Sequence, residues 1–336
     1  MAYVTIRDVA REAGVSVAAV SQILHDKGRF SDETRKLVRD TVESMGYVPD
    51  QRARSMRSSE TKTVGLLVPD LRNPYFADLV SSMEDELYRR GFTTLIGSSG
   101  ESVERQDSFI ENLLGQRIDG AIVVPQGVDS PGVESLVRRG LPLVFVDRRV
   151  PSVDSVPFVV SDPYPGIRSA VAELMRLGHR RIGYVSHPAL GSFSVNEREV
   201  AFRAITGELL ADGETIVVNC DATYESRQRA LDELAESGMS AVVFAYSPDA
   251  ITMLGLMTDR GLEVGADMSV VSFDDIAAFT MMTPSVSVIS QQAETMGRQG
   301  VELLMRQLAG DGEAVAGTQY VPTVFIARKS TGSVLR

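Results

Sequence analysis

The residues able to do chemistry in this 336-residue sequence fall at the ends of short β-rich runs. In the first half of the chain they are Asp70 with Tyr75 and Phe76, Ser98, Gln126, and Asp147–Arg148. In the second half they are Ser186–His187, Asp221, Tyr246–Ser247 and Asp274–Asp275. Carboxylates, hydroxyls, amides and aromatic rings of this kind suit recognition of a small polyhydroxylated ligand, a sugar or a nucleoside. They do not suit catalysis. The sequence holds no G-x-S-x-G, no phosphate-binding loop and no G-x-G-x-x-G. His25, His179 and His187 are too scattered for a metal site, and one cysteine adds nothing to them. Asp274 and Asp275, adjacent on one strand end, point apart and make no acid–base pair. No enzymatic activity, cofactor or metal is expected.

The elements that position these residues follow from Val64 onward. Candidate strands at 64–68, 92–97, 119–124 and 143–147 alternate with helices near 75–90, 103–116 and 131–140. A second series has strands at 181–186, 215–219, 240–245 and 268–273, with helices near 165–177, 197–211, 226–237 and 249–260. Such alternation means parallel sheets covered on both faces, and two series mean two α/β lobes. A helix near 290–309 returns to the first lobe. In open parallel sheets the ligand crevice lies beyond the carboxyl ends of the strands, which is where the polar residues fall.

The N-terminus differs in kind. Thr5 caps a helix with Asp8 three residues on, and Ile6, Val9, Ala10 and Ala13 form its apolar stripe. Gly14 ends it, and Ser16 caps a second helix. Val20, Ile23 and Leu24 of that helix face inward, leaving Val17, Ala18, Ser21 and Gln22 outside and His25 at its end. Ser31 opens a third helix with Leu37, Val38, Thr41, Val42 and Met45 as its inner stripe. Helix, Gly-containing turn, helix is the form that enters a DNA major groove. The total charge of −11 hides its distribution: residues 1–60 carry ten Lys/Arg against nine Asp/Glu, so the body carries all the negative excess. An acidic body discourages indiscriminate DNA binding. The single Cys220 forms no internal disulfide, and no basic-then-apolar leader or membrane-length apolar run occurs, so a cytoplasmic protein without a membrane partner is expected.

The ordered runs VTIRDVAREAGVSVAAVSQIL, SDETRKLVRDTVESMGYVPDQRARSMR, TVGLLVPDLRNPYFADLV, DGAIVVP, VFVDRR, LGHRRIGYV, SVVSFDD and Q-x-x-x-x-MG cover nearly the whole chain. Together they are similar to the lac repressor family of bacterial transcription regulators. The resemblance implies an all-α helix-turn-helix head at 1–48, a hinge helix and linker at 49–63, and a two-lobed, periplasmic-binding-protein-like core at 64–336. Lobe 1 would take about 64–161 and 290–320, lobe 2 about 162–289 and 321–336. Thr5, Ser16, Val17, Ala18, Ser21, Gln22 and His25 would meet DNA in the head. Arg52, Ala53 and Met56 would do so in the hinge, with Met56 where the family usually places leucine as a minor-groove wedge. Arg198, Asp274, Asp147 and Gln291 match ligand-contacting positions, and Tyr75 and Phe76 match the wall. Two departures separate the chain from the pattern. Tyr246–Ser247 replaces Asn-Asp, which puts Ser247 in the ligand set, and Ala222 falls where many members place an aromatic platform.

The expected function is a homodimeric, sequence-specific DNA-binding repressor whose operator affinity responds to a sugar-like or nucleoside-like effector. A stand-alone small-molecule-binding protein of the periplasmic type is the alternative. Leu79, Met83 and Leu87, with Phe279, Met281 and Met282, are expected to offer the dimer surface. Ionised Asp274 and Arg198 are expected to be bridged by the ligand.

Overall fold

The computed structural model describes residues 4–48, 60–127, 129–311 and 317–334. The hinge positions Arg52, Ala53 and Met56 lie outside the described residues. The chain divides into two compact units, Met1–Thr61 and Lys62–Arg336.

The first unit holds helices α1 (Ile6–Glu12), α2 (Val17–Leu24) and α3 (Asp32–Ser44). Thr5 and Asp8 form a reciprocal capping box, Thr5 N–H donating to Asp8 Oδ2 at 3.0 Å. Gly14 adopts φ +63°, which lets Val15 N–H reach back to the Ala10 carbonyl and close the end of α1. Ser16 and Ser31 accept from the third helical N–H of α2 and α3. Val9, Ala10, Ala13, Val20, Ile23 and Val38 make the core between the helices. Leu37 departs from expectation. It stays 51 % exposed, because the buried stripe of α3 runs through Val38 and Thr41 instead.

The second unit contains two six-stranded sheets of one design. The first uses β1 (Thr63–Val68), β2 (Thr93–Ser98), β3 (Gly120–Val123), β4 (Leu143–Val146), β5 (Phe158–Asp162) and β11 (Thr318–Pro322), in the order β11-β5-β4-β3-β1-β2. The second uses β6 (Arg181–Ser186), β7 (Glu214–Asn219), β8 (Ala241–Phe244), β9 (Ser269–Phe273), β10 (Ser287–Ser290) and β12 (Val324–Ile326), in the order β12-β10-β9-β8-β6-β7. All pairings are parallel except the edge pair β10–β12, which is antiparallel. The strands β5, β10, β11 and β12 escape the periodicity reading. Of these, β11 has two consecutive exposed residues, Gln319 and Tyr320, and one buried one, Val321, and β12 has only three residues, none buried.

The helices that position the site are α4 (Pro74–Arg89), α5 (Val103–Gly115) and α6 (Pro131–Arg138) in the first lobe. The second lobe has α7 (Tyr164–Arg176), α8 (Phe193–Leu209), α9 (Tyr224–Glu236), α10 (Ser247–Asp259) and α11 (Ala277–Met281), and α12 (Ala293–Leu308) returns to the first. Met296, Val301, Leu303 and Leu304 of α12 join the lobe 1 core with Leu79, Met83 and Leu87 of α4. That packing overturns the expected dimer surface. Leu79, Met83, Leu87 and Phe279 are fully buried within their own lobes, whereas Met281 is 76 % exposed. A helical apolar stripe identifies a buried face, and here α12 and the sheet take it.

Three crossings join the lobes, and hydrogen bonds tie them together. Thr323, the one residue between β11 and β12, donates from N and from Oγ1 to the Asp162 carbonyl at the end of β5. Gln292, at φ +57° between β10 and α12, donates to the Pro322 carbonyl at 2.6 Å.

Candidate functional site

Strand ends of both lobes converge on one buried polar network. Arg198 sits in α8, 4 % exposed, with its guanidinium 4.5 Å over the Phe273 ring. Its Nη1 donates to the Ala245 carbonyl at 2.6 Å and its Nη2 to Gln291 Oε1 at 2.8 Å. Gln291 Oε1 also accepts from Ser161 Oγ of β5 at 2.6 Å, and Gln291 Nε2 donates to Asp274 Oδ1 at 2.6 Å. Ser247 Oγ, opening α10, donates to Asp274 Oδ2 at 2.7 Å. Arg198 and Asp274 therefore communicate through Gln291. The Gln291 amide makes this link because it accepts from Arg198 through its oxygen and donates to Asp274 through its nitrogen. Arg198 Nε has no hydrogen-bond partner among the described residues.

Burial pushes the Asp274 carboxyl above its ordinary value, aided by the Asp147 charge and opposed by Arg198, Ser247 and Gln291. Asp275 diverges as expected and pairs with Arg328 at 2.5 Å.

Lobe 1 contributes Asp147, whose Oδ1 accepts from the Tyr75 hydroxyl at 3.1 Å. The Tyr75 hydroxyl is pushed well up by burial, and further by Asp147 and Asp274. Arg148 binds Glu101 Oε2 at 2.7 Å and Gln126 Oε1 at 2.5 Å. Tyr75 lines a cavity of about 30 Å³ with Asp78, Asp274, Ile276 and Gln291, room for about one water. Phe76 does not line this cavity. It belongs to the lobe 1 core, edge-on to Tyr75 at 5.1 Å and beneath Arg148.

In the head, Val17, Ala18, Gln22 and His25 are exposed on and just beyond α2, and Ser21 is half-buried. The hydroxyls of Thr5 and Ser16 are engaged in capping. The amide oxygen of Gln22 lies against Gly28, at φ +77°, where a Cβ would come within 2.7 Å of it.

Sequence reasoning missed Ser161 and the relay through Gln291. It also read the histidines as scattered. In space His187 meets Cys220 and Asp249, which come from neighbouring strand ends. Asp249 gave no signal of its own, because it follows its strand by a turn of helix. Among the described residues no helix is long and apolar enough to cross a membrane.

Residues 5–50 match the family described as bacterial regulatory proteins, lacI family, and residues 171–331 match a periplasmic binding protein-like domain. Catabolite control protein A of Priestia megaterium is 30 % identical over 308 residues, 91 % of this chain and 92 % of that one. The ribose operon repressor of Bacillus subtilis (strain 168) is 30 % identical over 332 residues, 97 % and 98 % of the two chains. The lac repressor dimer bound to operator and an anti-inducer shares the fold, with TM-score 0.83 at 24 % identity, covering 99 % of this chain and 100 % of that one. The CelR–cellobiose complex superposes with TM-score 0.70 at 28 % identity, covering 97 % and 99 %. These relatives are regulators of transcription, and the head and two lobes of this chain have their design. The chain belongs to the lacI family of bacterial regulatory proteins, which bind DNA and control transcription.

Proposed function

We propose that this chain is a cytoplasmic, homodimeric repressor that reads a palindromic operator and releases or tightens it when a sugar-like or nucleoside-like effector binds between its lobes. Residues 1–48 form the DNA-reading domain, 49–63 the hinge and linker, and 64–336 the effector and dimerisation core. Val17, Ala18, Ser21, Gln22 and His25 meet the major groove, with Thr5 and Ser16 at the helix starts; Arg52, Ala53 and Met56 act at the minor groove. Tyr75, Asp147, Arg198, Ser247, Asp274 and Gln291 hold the effector. Phe76 acts behind Tyr75 as packing.

The observation that carries this reading is the continuous hydrogen-bonded chain from Ser247 and Asp274 through Gln291 to Arg198 and Ser161. It joins both lobes at a crossing, so a hydroxyl-rich ligand that exchanges partners with it changes how the lobes meet. The 30 Å³ cavity is too small for a sugar, so binding requires the lobes to part. The relatives point to the ligand class: one is a ribose operon repressor, and a solved neighbour from Enterococcus faecium has bound ribose. The regulator relatives support this role over an enzymatic one.

The exposed Val17 and Ala18 suit thymine methyl groups, and Gln22 suits the N6/N7 edge of adenine once it swings off Gly28. Selection from a random DNA pool, followed by anisotropy titration with and without pentoses, hexoses, disaccharides and nucleosides, tests both halves. Expected are palindromic sites with A·T pairs opposite α2, and an affinity shift with one sugar class. Half-sites with G·C at those positions overturn the base assignment, and no shift with any compound that binds overturns the coupling.

A further inference from the structure

A second cluster lies in lobe 2, outside the network around Asp274. His187 follows β6, Cys220 follows β7, and Asp249 sits in the first turn of the helix after β8. These strands are neighbours in the sheet, so three distant sequence positions are fixed on one rigid edge. Their exposures are 2 %, 4 % and 1 %. His187 Nδ1 lies 2.8 Å from Asp249 Oδ2, and Cys220 Sγ lies 3.3 Å from the same oxygen. A carboxylate only accepts, so Nδ1 carries the imidazole proton and the thiol donates. Arg227 takes the other oxygen, with Nε at 2.9 Å and Nη2 at 2.8 Å from Oδ1.

We propose that His187 Nδ1, Cys220 Sγ and Asp249 Oδ2 form a binding site for a zinc-like divalent transition-metal ion. The three atoms lie within 4.8 Å of one another. Ligands around a tetrahedral zinc stand about 3.3–3.8 Å apart, so small side-chain rotations open the triad to that size. The nitrogen, sulfur and oxygen set fits Zn²⁺ or Co²⁺ and excludes Mg²⁺ and Ca²⁺, which require oxygen ligands. Three protein ligands leave one position for water.

The protons balance. The thiol proton leaves to solvent, and the imidazole proton passes from Nδ1 to Nε2. The thiolate and Asp249 then match the charge of the ion. Burial holds the Cys220 thiol protonated otherwise, its ionisation pushed well up with help from Asp249. Arg227 keeps Oδ1 and orients the carboxylate, as outer-shell partners do around bound metals. Asp221, close enough to His187 and Cys220 to interact with both, offsets the Arg227 charge.

The test uses the full chain, stripped with chelator and titrated with CoCl₂. Because Cys220 is the one cysteine in the sequence, a thiolate-to-cobalt absorption band in the near ultraviolet assigns it as a ligand without any variant. Expected are one Co²⁺ per chain with that band, its loss in Cys220→Ser, and at least tenfold weaker binding in Asp249→Asn. ZnCl₂ should raise the thermal midpoint of the wild type and leave that of both variants unmoved. Cobalt binding without the band, or equal zinc stabilisation of all three proteins, overturns the site and leaves a closed hydrogen-bond cluster. Neither readout involves operator or effector, so the result stands apart from the repressor reading.

Discussion

The two lobes can be compared at one equivalent point. Both sheets have the same strand order, and in each an aspartate follows the fourth strand with a left-handed backbone: Asp147 at φ +64° after β4, Asp274 at φ +71° after β9. Both residues are 2 % exposed. Their surroundings differ. Asp147 accepts one tyrosine hydroxyl, and its nearest cation, Arg148 Nε, is 3.8 Å away. Asp274 accepts a serine hydroxyl and an amide, and through that amide reaches Arg198. The same backbone device thus presents a lightly held carboxylate in lobe 1 and a fully networked one in lobe 2. The denser polar network therefore belongs to lobe 2, and lobe 1 adds the buried Tyr75 ring beside it.

The largest expected effect breaks this comparison at Arg198. Arg198→Ala removes the charged donor and should weaken effector binding by about 10- to 150-fold in calorimetry, following roughly 1.5–3 kcal/mol for a hydrogen bond to a charged group. Operator affinity of the effector-free protein should hold. Unchanged effector affinity, or an unfolded core, would show that Arg198 serves packing alone.

A matched pair of hydroxyl deletions sharpens the contrast. Ser247→Ala strips a donor from Asp274, and Tyr75→Phe strips one from Asp147. Denaturant unfolding should show losses within about 1.5–3 kcal/mol for both, larger for the first, whose bond is 2.7 Å, than for the second, at 3.1 Å. Equal losses would mean that the two carboxylates are held alike.

The smallest effect is a pH dependence. Because burial raises the Asp274 carboxyl above its ordinary 3.8, the folded core holds this proton more tightly than the unfolded chain does. That contribution to stability is complete below 3.8 and is lost as pH rises through the raised folded value. Asp274→Asn lacks it. The unfolding free energy of the wild type minus that of Asp274→Asn should therefore grow as the pH falls toward 3.8. A flat difference would place Asp274 in an ordinary environment.

The head was the most legible part of the chain, because caps and turn residues are local. Thr5, Ser16 and Ser31 each do in the structure what their spacing implied. The sandwich of strands and helices was legible where runs such as Val144–Phe145–Val146 are continuously apolar. It faded at β11, whose Gln319 and Tyr320 lie on a sheet edge. Strand-end logic located Asp147, Ser247 and Asp274, yet could not order them. Whether Gln291 or a ligand stands between Arg198 and Asp274 depends on distances across three strands. The burial of Leu79 and Met83 was likewise a question of which neighbour arrives, and α12 arrives from more than 200 residues away.

The tied crossings at Asp162, Gln292 and Thr323 have a mechanical consequence. Gln291, which holds both Arg198 and Asp274, is the immediate neighbour of one of these ties. In the proposed effector response, a ligand that pulls on it would act almost on the axle itself, where the lever arm is shortest. A small shift of the contact atoms there would correspond to a much wider arc at the far ends of the lobes. The Thr323–Asp162 hydrogen bonds hold the neighbouring crossings together against such a rotation.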